Sequence, residues 1–341
     1  MSPQFVDFNG DGHLDIVAGT FDGSPHVALG TGKGFRQPKQ ILDRDDQRIV
    51  LNQFWNYDTK KWDSTRRCDG AYDVMEGHLT SALAVDFDGD GDLDLLLGDH
   101  DAGGYVFLRI NEGTGADHAF ATKNTLVLAG GQPLRVPGTV ATMRLVDWNR
   151  DGLWDLACGS MGDAYQTSPG GGVYVYLNTG TEKVPAFGAP LVLIGPSSKQ
   201  SVDGPERPDS GIYMDFGDAD GDGDLDVLVG GYSHWLPKPR QLSAAEQRRV
   251  AALKAELEEL DAKLDVLGEA VAKATENLDD EAAAKERAKL LKAQGAERSA
   301  LAKQRTRLQN EHDELEPGPK RVSYTWLYEN LGSAPTEGGH R

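Results

Sequence analysis

Four copies of one string of about twelve residues limit what this chain can fold into more than any other feature of its sequence. The copies read VDFNGDGHLDIV, VDFDGDGDLDLL, VDWNRDGLWDLA and GDADGDGDLDVL. Their first aspartates are Asp7, Asp86, Asp147 and Asp218, so consecutive copies lie 79, 61 and 71 residues apart. This spacing is too long for a linear array of loops and suits one small β-sheet per copy. We therefore expect a repeat protein.

Oxygen-bearing side chains recur at fixed positions of each copy, counted from its first aspartate. Positions 1, 3, 5 and 9 are aspartate or asparagine in all four copies, and position 6 is always glycine. A loop that curls around a cation needs a sharp turn at such a glycine. Side-chain oxygens together with the backbone carbonyl of position 7 would form a cage that suits calcium better than magnesium or zinc. The pattern predicts about one structural Ca²⁺ per loop.

The four loops are named loop 1 (7–15), loop 2 (86–94), loop 3 (147–155) and loop 4 (218–226). The predicted metal ligands are Asp7, Asn9, Asp11, His13, Asp15, Asp86, Asp88, Asp90, Asp92, Asp94, Asp147, Asn149, Asp151, Leu153, Asp155, Asp218, Asp220, Asp222, Asp224 and Asp226. The residues at position 7 are His13, Asp92, Leu153 and Asp224. We expect them to bind through the backbone carbonyl, which explains why the side chain varies there.

The charge of the chain agrees with bound cations. The carboxylates at positions 1, 3, 5 and 9 carry a charge of −14, against a formal net charge of −19 for the whole chain. Two carboxylates about 4 Å apart repel each other by about 1 kcal/mol even at the dielectric constant of water. Ordinary Asx and glycine turns would explain the turns but not the constant positions. The same acidic surface argues against nucleic-acid binding.

Strands are predicted on both sides of each loop. An apolar segment ending in glycine follows position 9 of every copy, whereas an EF-hand would need an acidic ligand at position 12 and then a helix. A strand ending in Asn-x-Gly comes next, at Asn111, Asn178 and Asn330, and a weaker copy begins at His26. A further strand follows in the first three repeats. Four antiparallel strands in about 60 residues are typical of a propeller blade.

The Asp-rich loop, the apolar strand and the Asn-x-Gly strand together resemble the FG-GAP and VCBS repeats, which form the blades of integrin α-subunit propellers and of many secreted bacterial proteins. The resemblance implies a mainly β chain folded as a calcium-binding β-propeller with four legible four-stranded blades. It also implies an extracellular, periplasmic or cell-surface location. It does not imply a catalytic activity, because blades of this type serve both scaffolds and polysaccharide-active enzymes. Propellers of this family commonly have more blades. We therefore expect either a piece of a longer exported precursor or four blades that close on themselves.

A helical insertion interrupts the last repeat. Residues 239–319 are rich in Ala, Leu, Glu, Lys and Gln, and apolar residues from Val250 to Leu278 alternate steps of three and four. Ser243 and Glu246 predict a capping box. We expect two helices of about 35 residues each, forming an antiparallel coiled-coil hairpin. The predicted organisation is propeller blades at 1–238, the hairpin at 239–319 and the completion of blade 4 at 320–341.

The leading functional hypothesis is a non-catalytic scaffold for interaction or adhesion, with an unidentified protein or surface glycan as partner. Self-association through the hairpin or an open blade edge is a further expectation. The alternative is a polysaccharide-active enzyme, a lyase or dehydratase, built on the propeller, but no catalytic motif is present. Segment 43–78 carries Trp55, Tyr57, Trp62 and Tyr72, which either stack on sugars or seal a blade edge. No apolar stretch is long enough to predict a membrane span.

Overall fold

The computed structural model describes residues 3–65, 77–100, 103–161, 171–197 and 204–331. The chain divides into two compact units. Unit 1 comprises Met1–Gln200, Pro205–His234 and Arg321–Arg341, and unit 2 comprises Ser201–Gly204 and Trp235–Lys320. The described strands lie almost entirely in unit 1, and the described helices lie in unit 2. The expectation of a mainly β chain is thus confirmed.

The first two repeats each form a four-stranded antiparallel sheet. Strands β1 (Gln4–Val6), β2 (Asp15–Gly19), β3 (Pro25–Ala28), β4 (Gly30–Thr31), β5 (Gly34–Phe35), β6 (Lys39–Gln40), β7 (Gln53–Asn56) and β8 (Lys61–Ser64) come first. Sheet 1 has the order β1-β2-β3-β6, while β4–β5 and β7–β8 are separate hairpins. Then follow β9 (Leu79–Val85), β10 (Asp94–Asp99), β11 (Val106–Arg109), β12 (Thr125–Leu126), β13 (Leu128–Ala129) and β14 (Gln132–Pro133). Sheet 2 has the order β9-β10-β11-β12, and β13–β14 is a short hairpin.

The third and fourth repeats follow the same plan, but the fourth differs at its outer edge. Sheet 3 comprises β15 (Ala141–Val146), β16 (Asp155–Ser160), β17 (Val173–Tyr176) and β18 (Leu191–Ile194) in that order. Sheet 4 comprises β19 (Ser210–Gly217), β20 (Asp226–Trp235) and β21 (Lys320–Tyr328). Among the described residues, sheet 4 therefore has three strands. Its third strand comes after the helical insertion, and loops 1 to 4 each join the first two strands of their sheet.

Apolar cores hold consecutive sheets together. Strand β10 contributes side chains to two of these cores. Leu95 and Leu97 are fully buried against sheet 1, whereas Leu96 is fully buried against sheet 3. Successive side chains of a strand point to opposite faces, so a strand between two sheets is apolar throughout. Burying each leucine contributes about 1.5–3 kcal/mol. A third core joins sheets 3 and 4.

Unit 2 contains three described helices: α1 (Ala244–Thr275), α2 (Asp280–Ala293) and α3 (Gly295–Leu315). Ser243 and Glu246 form the expected capping box at the start of α1. The expectation of two helices of about 35 residues is wrong for the second one, which is interrupted at Gln294. Glycine is among the weakest helix formers, and Gly295 lies at this interruption.

Helices α1 and α3 pack against each other in opposite directions. Leu253, Leu257, Leu260 and Leu308 form their buried contact. Arg249 forms an ion pair with Glu311 at 2.7 Å, and Asp261 forms one with Arg305 at 2.6 Å. The later residue of α1 thus pairs with the earlier residue of α3, so the two helices are antiparallel. Leu278, the last residue of the predicted apolar seam, is 43% exposed. The buried stripe therefore ends before it. No helix in the described part of the chain combines the length and apolar character needed to cross a membrane.

Candidate metal-binding loops

The aspartate at position 1 folds each loop around its own side chain. In loop 1, the Oδ1 and Oδ2 atoms of Asp7 accept hydrogen bonds from the backbone amides of Asp11 at 3.0 Å and Gly12 at 2.9 Å. Loops 2 and 3 repeat this pair of bonds. In loop 4, the amide of Gly221 replaces that of position 5. The loops are thus shaped by Asx-type hydrogen bonds that gather the side chains of positions 1, 3 and 5.

The glycine at position 6 is required by backbone conformation rather than by space. Its φ angle is +84° in loop 1, +96° in loop 2, +86° in loop 3 and +92° in loop 4. A Cβ atom at any of these positions would meet nothing within 4 Å. Left-handed backbone of this kind costs roughly 1–2 kcal/mol for an ordinary residue. Arg150 at position 4 of loop 3 adopts φ +60° where the other three loops have glycine.

Loops 2 and 4 bring three carboxylates together, and loops 1 and 3 do not. Carboxylate oxygens of positions 1, 3 and 5 lie within 4.8 Å of one another for Asp86, Asp88 and Asp90, and likewise for the equivalent residues of loop 4, Asp218, Asp220 and Asp222. In loops 1 and 3, position 3 is asparagine, and its amide group donates a hydrogen bond to the aspartate of position 5. The internal hydrogen bond relieves part of the charge repulsion in these two loops.

Three buried carboxylate oxygens in loops 2 and 4 accept no hydrogen bond within the described part of the chain. They are Oδ1 of Asp88, Oδ1 of Asp92 and Oδ1 of Asp224. Burial raises the pKa of Asp92, and the neighbouring carboxylates of Asp90 and Asp88 raise it further. A buried anionic oxygen without a partner carries a desolvation penalty that a bound cation would remove. The residues present therefore fit a hard divalent cation in these two loops.

The aspartate at position 9 has a role that the sequence did not reveal. All four copies are 0–1% exposed, so these side chains lie inside the sheets rather than on the loops. In loop 2, Asp94 Oδ2 accepts the amide of Phe87 at 3.1 Å, and Oδ1 accepts the amide of Asn111 at 2.7 Å. The same two bonds occur at Asp15, Asp155 and Asp226. Each position-9 aspartate therefore clamps the start of its loop to the residue two positions after the third strand of its sheet.

The surroundings of the clamp aspartates differ enough to move their pKa values in opposite directions. Burial raises the pKa of Asp94 to about 7, although the amides of Asn111 and Phe87 favour its charged form. The amides of Asn330 and Ala219 instead lower the pKa of Asp226. The two hydrogen bonds are therefore the same in both sheets, but Asp226 in sheet 4 keeps its negative charge to a lower pH than Asp94 in sheet 2.

The Asn-x-Gly motif closes the turn beside the clamp. Asn111 Oδ1 accepts the amides of Gly113 at 3.1 Å and Ala119 at 2.8 Å, and Asn178 makes the equivalent bonds. A Cβ atom on Gly113 would lie 2.3 Å from the carbonyl oxygen of Asp117. The asparagine supplies an acceptor for two amides, and the glycine permits close approach of the backbone. In the fourth repeat, Asn330 supplies the clamp amide, while Gly332 lies outside the described residues.

Trp55 and Trp62 of segment 43–78 lie on the β7–β8 hairpin, next to the turn that follows β2. Trp55 and Trp62 are paired across the β7–β8 hairpin, and Tyr72 lies outside the described residues. The hairpin brings Trp62 against His78 and against Phe21, a residue that no sequence pattern singled out. The sequence alone could not place Phe21 in this cluster, because the residues that it contacts are distant in the chain.

These features define a class of repeat protein in which each sheet carries one Asp-rich loop between its first two strands. Residues 86–158 and 147–229 both match the family model described as FG-GAP-like repeat. Residues 86–229 thus carry FG-GAP-like repeats, and over these residues the resemblance inferred from the motifs is confirmed. The matches begin at position 1 of loops 2 and 3 and extend through loop 4. No curated protein matches the chain significantly.

Proposed function

We propose that this protein is a non-catalytic, calcium-stabilised propeller-type scaffold that acts outside the cytoplasm and presents its surfaces to a protein or glycan partner. Four repeats with the same strand plan, packed in sequence through shared cores, support the assignment of each sheet as a blade. The FG-GAP-like repeats support the same architecture. Stable presentation of a surface, rather than chemistry, is the role that a repeat scaffold of this kind serves best.

The carboxylate geometry of loop 2 is the observation that carries the calcium proposal. Asp86, Asp88 and Asp90 place oxygens within 4.8 Å of one another, and Asp88 and Asp92 have buried oxygens without hydrogen-bond partners. Like charges about 4 Å apart repel by about 4 kcal/mol at the effective dielectric near a protein surface. Side chains of positions 1, 3 and 5, with the position-7 carbonyl, would hold Ca²⁺. The ion would supply charge neutralisation only.

A weak calcium site is consistent with an exported protein. Extracellular calcium modules typically bind with dissociation constants of about 10⁻⁴–10⁻³ M. Loops that are largely exposed, as positions 5 and 6 are in all four repeats, suit this range better than a tight cytosolic site.

The helical insertion is proposed as an arm of coiled-coil character that contacts a partner or a second copy of the chain. The antiparallel contact of α1 and α3 supports a hairpin. Val266 on α1 is 64% exposed and Leu291 on α2 is 43% exposed, so apolar side chains remain available on the helices. Light scattering across a concentration series tests self-association, which an increase in mass with concentration would support.

Thermal unfolding with and without calcium tests the central proposal. Because a ligand that binds only the folded state stabilises it, saturating Ca²⁺ at about 100 times its Kd adds about 2.7 kcal/mol per site. We expect the midpoint to rise with CaCl2 after EDTA treatment, and to rise less with equimolar MgCl2. An unchanged midpoint in millimolar CaCl2 would contradict the proposal. Turnover of a polysaccharide by the purified chain would favour the enzymatic alternative instead.

A further inference from the structure

A pocket lined by aromatic, imidazole and amide groups lies at the end of sheets 1 and 2 that is opposite to the Asp-rich loops. Loops 1 and 2 lie at the starts of β2 and β10, whereas Phe21 follows the end of β2 and His100 follows the end of β10. The backbone amide of His100 donates to the carbonyl of His78 at 2.9 Å, which places both histidines at this end. The pocket has a volume of about 280 Å³ and is lined by Phe21, Gln53, Trp62, His78 and His100.

The side chains of the pocket form one continuous aromatic cluster. His78 and His100 lie with ring centroids 4.6 Å apart, and Phe21 meets His78 edge-on at 5.0 Å. Trp62 contacts His78 at 5.3 Å and Phe21 at 6.2 Å. His78 is buried, whereas Phe21 is 58% and Trp62 is 46% exposed. The buried imidazole therefore forms the base of the cluster, and two large ring surfaces remain open to solvent.

The backbone holds the two exposed rings in place. The amide of Trp55 donates to the carbonyl of Asp22 at 2.8 Å, which ties the β7–β8 hairpin to the turn that carries Phe21. The guanidinium group of Arg48 donates to the carbonyls of both Trp55 and Asp22. A Cβ atom on Gly23 would lie 2.5 Å from the carbonyl oxygen of Gln53, so hairpin and turn are in close contact. A preorganised surface loses little conformational entropy when it binds a ligand.

The side chains that line the pocket indicate which class of ligand it would bind. Among the described residues no Asp, Glu, Lys or Arg side chain lines the pocket, and the chain carries a net charge of −19, so a polyanionic ligand would be repelled. Flat aromatic faces suit a ligand with an apolar face, while the imidazoles and the Gln53 amide suit hydroxyl groups. A lipid chain would offer no hydrogen bond to the Gln53 amide. A neutral pyranose ring offers both an apolar face and hydroxyl groups.

We propose that Phe21, Trp62, His78, His100 and Gln53 form a binding subsite for a neutral saccharide, in which Trp62 stacks on the sugar ring. This subsite narrows the glycan partner of the scaffold proposed above and rests on that proposal only for the scaffold role. It does not depend on calcium, because the loops lie at the other end of the sheets. The calcium-binding proposal and the sugar-binding proposal can therefore be contradicted independently of each other.

A glycan array followed by calorimetry tests the subsite on the full chain. The array carries neutral gluco-, manno- and galacto-configured oligosaccharides, with uronic-acid oligosaccharides as charged comparators. The best neutral oligosaccharide is then titrated into wild-type protein, Trp62→Ala, Trp62→Phe and Trp154→Ala. Trp154 is a matched control, because it is 58% exposed in loop 3, at the other end of the repeats.

We expect a neutral oligosaccharide to bind, and Trp62→Ala to weaken it at least about tenfold, as loss of one stacking ring predicts. Trp62→Phe should retain part of the affinity, and Trp154→Ala should retain all of it. Binding should persist in EDTA below the melting temperature. Three results would each overturn the proposal: no neutral glycan bound on the array, stronger binding of the uronic-acid comparators, or equal affinities for the Trp62→Ala and Trp154→Ala proteins.

Discussion

Asp94 and Asn111 lie 17 residues apart in the chain and are joined by a 2.7 Å hydrogen bond from the Asn111 amide to Asp94 Oδ1. The bond connects the end of an Asp-rich loop to the segment that directly follows the third strand of the same sheet. Its counterpart recurs in every repeat, so the clamp, and not only the loop, is a repeated element of this protein. A buried carboxylate that accepts two amides stabilises the fold whether or not a cation is bound.

Replacing the clamp carboxylate should destabilise the protein in the absence of metal. In Asp94→Asn, the new NH2 group faces a backbone amide that has lost its acceptor, so we expect a loss of about 1–3 kcal/mol in the free energy of unfolding. Urea denaturation in EDTA measures this loss without a contribution from calcium. Asp58→Asn, at an exposed turn, is the control and should unfold like the wild type. Equal stabilities of the two variants would show that the clamp contributes nothing.

Adding a methyl group inside the Asn-x-Gly turn should also be costly. Gly113→Ala would place Cβ 2.3 Å from a backbone oxygen, and such overpacking typically costs about 1–3 kcal/mol. Gly115→Ala, two residues further on, meets nothing within 4 Å and serves as the control. Thermal melting of both variants measures the difference. The close approach in the turn would be unimportant if the two midpoints fell together.

The four loops should not bind calcium equally. Loops 2 and 4 carry aspartate at positions 3 and 7, whereas loops 1 and 3 carry asparagine at position 3 and no acid at position 7. More ligand charge raises affinity, so we expect loops 2 and 4 to fill first in a calorimetric titration with CaCl2. Asp88→Asn should weaken one of the tighter sites.

The matched substitution Asn9→Asp gives loop 1 the position-3 carboxylate of loop 2 and should strengthen its site. Four indistinguishable sites in the wild-type protein would contradict this ranking. So would an Asn9→Asp protein whose titration matches that of the wild type.

Stability should fall in mild acid because of His234. Burial lowers the pKa of this histidine and the positive charge of Arg321 adds to that effect, while Asp209 opposes it. A histidine with a folded pKa below the unfolded value of about 6.5 binds more protons when unfolded. Its contribution is therefore lost as pH falls below about 6.5.

Urea denaturation between pH 7.5 and 5 in EDTA measures this effect. His234→Gln should lose less stability than the wild type over this range. A slope unchanged by His234→Gln would show that His234 does not contribute to acid sensitivity.

Much of the fold could be predicted from the sequence, because the residues that form the loops and strands are close together in the chain. Positions 1, 3, 5 and 6 of each loop act within nine residues, and β10 reads as an apolar run because both its faces are buried. The clamp role of position 9 could not be predicted, because the sequence does not show whether the carboxylate of an aspartate binds a cation or two backbone amides. The cluster of Phe21, Trp62, His78 and His100 depends on packing between residues far apart in the chain.

The helical insertion between β20 and β21 has a consequence for synthesis. The amide that completes the clamp on Asp226 belongs to Asn330, 104 residues later in the chain, whereas the equivalent partner in sheet 2 follows after 17 residues. Sheets 1 to 3 can assemble as they leave the ribosome, since domains generally fold in the order of synthesis. The fourth repeat must wait for the helical insertion to be made, so it matures after sheets 1 to 3 and is lost when translation stops within the insertion.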